Sequence, residues 1–243
     1  MSDTTAAAPN ALASNEDFEF AALQQARNYR HALLKSFGPH LKGNVLEVGA
    51  GIGQLSGELK ALPGVDRLVA VEPDARFHPR LLQQISEENV VKGTAANVDT
   101  RVPWNAIVSV NVLEHIENDS SELALYRSIL ESTRGRLCLF VPARPEIYAP
   151  LDKDFGHFRR YTAKQLRRRL QNAGFEVVRM SYFNFLGYFA WWFSFRFMKR
   201  RGFSNSAVWF YDRVVFPPVF WIESTLCRPP LGQSLMVVAR VRN

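Results

Sequence analysis

The sequence predicts a doubly wound α/β fold with a mainly parallel, seven-stranded sheet and an aromatic helical insertion before the last strand. Three observations support this fold class. Short apolar strands alternate with helical segments along most of the chain, which is typical of a parallel sheet covered by helices on both faces. The first strand runs directly into a glycine-rich turn, VGAGIG, that opens a helix. A stretch dense in Phe, Tyr and Trp precedes the final strand.

Each strand is predicted from a short apolar run bounded by turn residues. The run Ala106–Val110 is the clearest, because it is uninterrupted, as expected of a strand covered on both faces. The other six predicted strands are Asn44–Val48, Leu68–Glu72, Val90–Gly93, Arg136–Val141, Phe175–Tyr182 and Ser234–Val241.

Helices are predicted where apolar residues recur at helical spacing. Asp119 with Glu122, and Thr162 with Gln165, have the spacing of a capping box and therefore mark two helix starts. Gly174 is a suitable stop for the second of these helices. The remaining predicted helices cover residues 16–38, 53–61 and 77–87.

Length and composition fit one domain with additions. The chain has 243 residues and 47% apolar residues, enough for a full core. We expect residues 1–15 to be a disordered lead, residues 16–243 to form a single domain, and residues 184–231 to form the insertion. Cys138 and Cys227 suggest neither a disulfide framework nor a metal site. We therefore expect a cytoplasmic protein without a bound metal.

The glycine loop distinguishes between two kinds of cofactor. A dinucleotide fingerprint needs a third glycine or alanine three positions after the second, with two residues between them. Counted from Gly49 that position is Gln54, and the glycine comes one residue early, at Gly53. The pattern is instead E-x-G-x-G-x-G, with Glu47 ahead of the loop. An anion there disfavours phosphate and suits a ligand that carries an ammonium group.

A second acid stands at the end of the second strand. Glu72, in VAVEPD, occupies the position at which a carboxylate accepts hydrogen bonds from both ribose hydroxyls in such sheets. Either signal alone has an ordinary structural explanation, as a strand-to-helix turn or as a solvated acid. Together they predict a nucleoside ligand without phosphate.

At this point the sequence resembles the class I S-adenosylmethionine-dependent methyltransferases of the bacterial small-molecule type. The glycine loop, Glu72, SVNVLEHI at 109–116, GHFRRYT at 156–162 and AGF at 173–175 carry the resemblance. It implies a Rossmann-like methyltransferase fold and S-adenosyl-L-methionine as cofactor. The cofactor residues that it implies are Tyr29, Glu47, Gly49, Ala50, Gly51, Gly53, Glu72, Pro73, Asp74, Thr94, Ala95, Asn111 and Val112.

One position departs from the pattern of the family. Many relatives carry an acid near position 94 that bonds the adenine amino group, whereas this chain has Thr94 in KGTAANV. The threonine hydroxyl or a backbone carbonyl would have to make that contact here.

Two histidines are candidate general bases for methyl transfer. A base is needed only when the acceptor arrives protonated, and a neutral imidazole suits that task. His115 follows the fourth strand, and His157 lies in the loop after the fifth strand. The structural alternative for His115 is a ring that bonds a backbone carbonyl and shapes the start of the next helix.

The loop that contains His157 also offers a candidate acceptor clamp. Arg159, Arg160 and Tyr161 follow it directly, and an arginine there could bind a carboxylate or phosphate of the acceptor. The alternative is that the two arginines are solvated or pair with Asp152 and Asp154.

The aromatic insertion has three interpretations. It could be a lid over an apolar acceptor pocket, a surface that lies on an anionic membrane through Lys199–Arg201, or an internally packed cap or dimer face. As a helix the first aromatic segment is too short to span a bilayer, and Arg196 interrupts it. In the first two cases we expect a small-molecule acceptor with apolar bulk, such as a lipid, isoprenoid or aromatic metabolite.

Three other functions compete with this interpretation. The net charge of +7 and Arg167–Arg169 suggest an RNA or protein methyltransferase, but those arginines fall on the outer face of a helix, so we expect no nucleic-acid partner. A nicotinamide-dependent oxidoreductase is disfavoured by the glycine spacing. A non-catalytic, partner-binding protein on the same fold is disfavoured by the intact loop and Glu72. The oligomeric state and the methylated atom stay open.

Overall fold

The computed structural model describes residues 25–202, 204–226 and 229–242. The predicted disordered lead, residues 1–15, lies outside the described residues. Cys227 also lies outside them, as do residues 16–24 of the helix predicted at 16–38. The described part of that helix, α1, is Arg27–Phe37.

The seven strands form one sheet in the order β3-β2-β1-β4-β5-β7-β6. The first five strands run parallel, and β7 runs antiparallel to both of its neighbours. This topology confirms the predicted fold class. The bounds are β1 Gly43–Val48, β2 Val65–Glu72, β3 Val90–Lys92, β4 Ala106–Val110, β5 Arg136–Pro142, β6 Phe175–Phe183 and β7 Ser234–Val241.

Two apolar clusters cover the two faces of the sheet, because successive strand residues point to opposite sides. Val45 faces the cluster that contains α1, whereas the adjacent Leu46 faces the other cluster. That second cluster contains α4 (Asp119–Leu130) and α6 (Ala163–Asn172). The short helix α5 (Pro150–Asp154) lies between them in the chain. The sheet is therefore buried on both sides, and its exposed functional edge is the row of carboxyl ends of the parallel strands.

The two helices after β1 and β2 are shorter than the sequence predicted. They are α2 (Ser56–Lys60) and α3 (His78–Leu81), against predictions of 53–61 and 77–87. Gly53 has a φ of 82°, which is incompatible with a right-handed helix. The glycine-rich turn after β1 therefore continues past Gly53, and α2 begins only at Ser56.

The start of α4 differs by one residue from the prediction. Asn118, not Asp119, caps this helix, and its side chain accepts a hydrogen bond from the Ser121 N–H at 3.2 Å. Both residue types are good caps, so the local sequence could not separate them. The buried Asp119 carboxylate instead accepts a hydrogen bond from the Tyr161 hydroxyl at 2.9 Å. The predicted box of Thr162 and Gln165 is confirmed.

The aromatic insertion leaves the sheet at Phe183 and returns at Ser234, two residues that are register partners on β6 and β7. It forms two helical stretches. The first is α7 (Phe185–Trp191), continued by a π-helical turn at Trp192–Phe197. The second is α8 (Asn205–Phe210), a π-helical turn at Tyr211–Val215 and α9 (Phe216–Thr225). Within the described part of the chain, none of the helices is long and apolar enough to cross a bilayer.

Candidate active site

The glycine loop after β1 turns with three left-handed residues. The backbone φ values are 76° at Gly49, 54° at Gly51 and 82° at Gly53. Residues other than glycine adopt such values only with strain. A Cβ on Gly49 would lie 2.2 Å from Cγ2 of Val112. The backbone therefore approaches the end of β4 closely, and both the conformation and the contact require glycine at this position.

Glu72 connects the loop to the end of β2. One carboxylate oxygen accepts a hydrogen bond from the Gly51 N–H at 2.7 Å, and the other accepts one from the Asp74 N–H at 2.8 Å. Burial raises the pKa of Glu72, although these two backbone bonds act in the opposite direction. Each carboxylate oxygen has a second acceptor site. Glu72 can thus hold the loop and still accept hydrogen bonds from a ribose.

Glu47 lies buried beneath the loop. Its carboxylate accepts a hydrogen bond from the Ser56 hydroxyl at 2.6 Å. Burial, assisted by the nearby Glu72, raises the pKa of Glu47 to about 7, despite the opposing effect of the Ser56 bond. A buried carboxylate gains more from an incoming cation than an exposed one does. Its position therefore suits an ammonium group held above the loop.

Other predicted cofactor residues lie shortly after the carboxyl ends of the first four strands. They are Ala50 after β1, Pro73 and Asp74 after β2, Thr94 and Ala95 after β3, and Asn111 after β4. The Ala50 N–H bonds the Val71 carbonyl at 3.1 Å, and the Gly93 N–H bonds the Glu72 carbonyl at 3.1 Å, which brings Thr94 and the buried Ala95 beside the end of β2. The Thr94 hydroxyl contacts the Asn97 amide at 3.3 Å. Pro73 is exposed, and Asp74 pairs with Arg76. Asn111 adopts a φ of 53° directly after β4.

A cavity of about 320 Å³ opens beside this loop region, beyond the ends of β4 and β5. Its polar lining residues include Asn111, Glu114, His157 and Arg160. The insertion supplies most of the apolar wall. A volume of this size is typical of a small-molecule site. The wall residues from the insertion are Asn184, Gly187, Ala190, Trp191, Ser194, Phe195, Ala207, Val208, Tyr211 and Asp212.

Tyr29, which the resemblance implied as a cofactor residue, lines this cavity from α1, and its contact with the cofactor stays a prediction. Its ring packs edge-on against Phe140 and Phe183, with centroids 6.0 and 5.0 Å apart. Burial raises the pKa of Tyr29. The Asp212 carboxylate holds this helix start, since it accepts hydrogen bonds from the backbone N–H groups of Asn28 at 3.1 Å and Tyr29 at 2.9 Å. The insertion therefore fixes the position of Tyr29.

His157 is oriented by a buried carboxylate. Nδ1 of His157 lies 3.0 Å from Oδ1 of Asp152, and Nε of Arg160 donates to the same oxygen at 2.8 Å. Although burial acts against it, these two partners hold the pKa of Asp152 below its usual value. An ionised Asp152 favours a proton on Nδ1 of His157, which leaves Nε2 as the basic atom.

His115 and Glu114 lie next to His157. The two imidazole rings meet edge-on with centroids 4.6 Å apart. Burial, together with the neighbouring His157, lowers the pKa of His115 to about 4, so His115 is neutral at physiological pH. One potential ligand atom from each of Glu114, His115 and His157 lies within 4.8 Å of the others. Of the three, Glu114 and His157 line the cavity, and together the three residues have the donor types that a divalent cation takes.

The predicted acceptor clamp is only partly assembled. Arg160 lines the cavity, but it is buried, pairs with Asp152 and stacks on Trp191 with its Cζ atom 4.4 Å from the ring centroid. Arg159 pairs with Asp119 at 2.9 Å, and the Tyr161 hydroxyl bonds the same carboxylate. Neither Arg159 nor Tyr161 lines the cavity. Their assignment to acceptor binding therefore has no support in the geometry.

Several residues at the site were not identified from the sequence. Asp152 orients His157, Asp212 holds Tyr29, and Asn184 accepts a hydrogen bond from the Gly187 N–H at 3.1 Å at the start of α7. The available signal was the composition of the insertion. Asp212 and Glu223 are the only acids in an otherwise apolar and basic stretch, and such acids are usually buried against partners.

Comparison with known proteins identifies the family of this chain and its fold. A family model described as "Methyltransferase domain" matches residues 20–180. The chain belongs to this family, the class I S-adenosylmethionine-dependent methyltransferases, whose cofactor is S-adenosylmethionine. No curated protein sequence matches the chain.

Solved structures of methyltransferases share the fold at low sequence identity. A methyltransferase from Archaeoglobus fulgidus aligns with a TM-score of 0.57 at 17% identity, over 96% of this chain and 100% of that one. The 1,6-didemethyltoxoflavin-N1-methyltransferase of Burkholderia thailandensis, solved with 1,6-didemethyltoxoflavin and S-adenosylhomocysteine, aligns with a TM-score of 0.57 at 19% identity, over 100% and 94%. A Haloferax volcanii complex of the Trm112 methyltransferase activator with a methyltransferase gives 0.61 at 14%, over 96% and 94%.

Proposed function

We propose that this protein transfers a methyl group from S-adenosylmethionine to a small molecule with apolar bulk. The observation that carries the proposal is the arrangement of two sites side by side. The loop with Glu47 and Glu72 offers partners for an ammonium group and a ribose, and the adjoining cavity is walled mainly by aromatic and small residues. Asn111 and Glu114, at the end of β4, line that cavity next to the loop.

These residues favour a methyl transfer whose rate depends mainly on the alignment of the methyl donor with the acceptor. When bound, the cofactor would supply a methyl carbon to which the acceptor's lone pair forms a bond, while the carbon–sulfur bond breaks and S-adenosylhomocysteine leaves as a neutral thioether. The glycine loop and Glu72 fix the donor, and the cavity wall orients the acceptor, so proximity contributes most of the rate. For a protonated acceptor, Nε2 of His157 can take the proton. His115, the other predicted base, is not among the residues that line the cavity, and its lowered pKa makes it the weaker base.

The acceptor is proposed from the cavity wall. Trp191 and Phe195 supply large buried surfaces, while Gly187, Ala190 and Ala207 leave room beside them. Such a wall stabilises an apolar or aromatic body through burial. Polar side chains, among them His157 and Arg160, also line the cavity. A lipid, isoprenoid or aromatic metabolite that carries a polar group fits this mixed lining.

The test is a labelled-methyl assay on fractionated extracts of the source cells. The purified protein is incubated with methyl-labelled S-adenosylmethionine and either an organic-soluble or a water-soluble extract. We expect label in the organic-soluble fraction with the native protein, and a loss of at least tenfold for His157→Gln if the base role is right. Exclusive labelling of RNA or protein would contradict the proposed acceptor class and support the macromolecular alternative.

A non-catalytic role predicts a different result. A partner-binding protein on this fold would give no labelled product from any fraction, although it could still bind S-adenosylmethionine. The cavity beside the loop favours catalysis, because a protein that only binds a partner has no need of a buried acceptor pocket. We propose the cytoplasm as the working compartment, consistent with the buried, unpaired Cys138 thiol.

A further inference from the structure

Exposed apolar side chains concentrate on the aromatic insertion. Among the described residues, twelve of the fourteen large apolar side chains that are exposed lie between positions 186 and 226. Soluble proteins rarely expose such a concentration without an interaction partner. The group includes Trp192, Phe197, Trp209 and Trp221, whose exposed fractions are 45%, 66%, 54% and 58%.

Both helical stretches are apolar on two sides. In the first stretch Gly187, Trp191 and Phe195 face the cavity, whereas Phe193 and Phe197 face outward and stack with centroids 5.9 Å apart. These inward and outward residues recur at spacings of four. The inner face is explained by the cavity and the core. The outer face, which includes the exposed Phe189, Trp192, Phe193, Phe197, Trp209 and Trp221, is not explained by either and needs a partner of its own.

Among the described residues of the insertion, all outward-pointing charge is positive. Its two acids, Asp212 and Glu223, both bond backbone N–H groups on the inner side. The exposed charged residues are Arg196, Lys199, Arg200, Arg201 and Arg213. Of these, Arg201 contacts Asp154 at 3.6 Å. The outer face therefore combines exposed tryptophan and phenylalanine with a net positive charge, of which Arg201 is partly balanced by Asp154.

We propose that this outer face docks on an anionic lipid bilayer. Aromatic side chains favour the membrane–water interface, and lysine and arginine favour anionic headgroups. The attachment proposed is to the surface of the bilayer, through the side chains of this outer face. A second copy of the chain is the less suitable occupant. In a symmetric dimer the same patch meets itself, which would place these cations against one another.

The cavity gives the docking a functional consequence, and this part of the inference rests on the proposed methyl transfer. Ala190 and Ser194 line the cavity on α7 and its continuation, next to the outward Phe189 and Phe193. Ala207 and Val208 line it on α8, next to the outward Trp209. The cavity wall and the bilayer-facing surface are thus two sides of the same helices. A lipid-phase acceptor could enter between them without crossing water.

The experiment is vesicle flotation of the full chain, without cofactor. We expect the protein to float with phosphatidylcholine vesicles that contain phosphatidylglycerol, more weakly with phosphatidylcholine alone, and less at high salt. Each cation near an anionic surface strengthens binding about fivefold. The triple variant Lys199→Gln, Arg200→Gln, Arg201→Gln should therefore weaken vesicle binding on the order of a hundredfold.

A matched control carries the same loss of charge elsewhere. Lys164, Arg167 and Arg168 are exposed on α6, so their replacement by glutamine should leave flotation unchanged. Trp209→Ser with Phe210→Ser tests the aromatic part and should lower binding to both kinds of vesicle, while thermal unfolding verifies that the variant is folded.

Three outcomes would overturn the proposal. They are no flotation of the native protein, equal effects of the two triple variants, and a stable dimer in light scattering that the aromatic variant dissociates while vesicles bind neither protein. Calorimetry with S-adenosylhomocysteine on the same sample reports separately on the proposed function, so failure of docking and failure of cofactor binding are distinguishable.

Discussion

The carboxylate of Asp212 accepts a hydrogen bond from the backbone N–H of Tyr29 at 2.9 Å, across 183 positions of sequence. This bond gives α1 the N-terminal cap that its own sequence lacks, since Ala26 at the cap position has no side-chain acceptor. It also links the insertion to the tyrosine that lines the cavity. One buried acid thus stabilises a helix and positions a wall of the proposed acceptor site.

Removal of this cap should destabilise the protein and loosen the insertion. For Asp212→Ala we expect a loss of about 0.5–2 kcal/mol in the free energy of unfolding, the usual contribution of an N-terminal cap. Urea unfolding measures the loss, and limited trypsin digestion should cut more rapidly near Arg213. The control is Glu58→Ala, which removes a half-exposed partner of Arg30 at 3.3 Å and should change stability little. Equal destabilisation by both variants would contradict the capping role.

The cofactor site is tested at Glu72. Glu72→Gln keeps the shape of the side chain but removes the charge that accepts hydrogen bonds from the loop and, in the proposed complex, from the ribose. Hydrogen bonds to charged groups contribute about 1.5–3 kcal/mol, so we expect S-adenosylhomocysteine to bind roughly ten- to a hundredfold more weakly in calorimetry. Glu176→Gln, on an exposed strand position paired with Arg240, should bind like the native protein. Unchanged affinity in Glu72→Gln would remove this residue from the site.

Two glycines of the same region should respond in opposite ways to alanine. Gly49→Ala forces a methyl group into Val112 and a side chain into left-handed backbone, at a cost of about 1–3 kcal/mol. Gly57→Ala lies within α2 with its nearest described neighbour, Oε1 of Gln84, at 3.3 Å, and should be neutral or stabilising by up to about 1 kcal/mol. Thermal unfolding of the two variants checks the difference. Similar melting temperatures would mean that the loop relaxes around the added methyl.

Stability should fall as pH rises through the titration of Glu47. The pKa of Glu47 rises from an unfolded value near 4.5 to about 7 in the folded protein, so the folded state binds the extra proton between these values. Folding is therefore favoured below about pH 4.5, and this contribution is lost by about pH 7, with a magnitude on the order of 3 kcal/mol. Urea unfolding of the native protein and Glu47→Gln at pH 5 and 7.5 measures it, because groups common to both proteins cancel. Parallel pH profiles for the two proteins would exclude the shift.

The cofactor half of the site was predictable from the sequence because its signals are local. The glycine pattern at positions 49, 51 and 53 predicts a turn with left-handed residues. Glu72 is recognised because it stands at the end of a predicted strand. Their proximity follows from the parallel register of β1 and β2, in which Val48 pairs with Val71. The family comparison confirms the cofactor, while the role of each residue stays a prediction.

The acceptor half was less predictable, for a physical reason. Asp212 and Tyr29 meet only because the fold brings distant segments together, and no local pattern encodes that contact. Arg159 and Tyr161 sit in the motif that suggested a clamp, yet their polar groups are used by Asp119. Sequence identifies which residues can make strong interactions. It does not determine which of several nearby partners each one takes.

The pairing of Phe183 with Ser234 has a consequence for how this protein could diversify. Because the aromatic segment starts and ends at facing positions on antiparallel strands, the gap that it leaves is no wider than a hairpin turn spans. Segments of different length and composition can therefore be exchanged at this one junction while the strands on the far side of the sheet keep their register, provided that the new segment keeps an acid in place of Asp212 for the start of α1. Chimeras made at this junction would offer a direct route to altered acceptor choice.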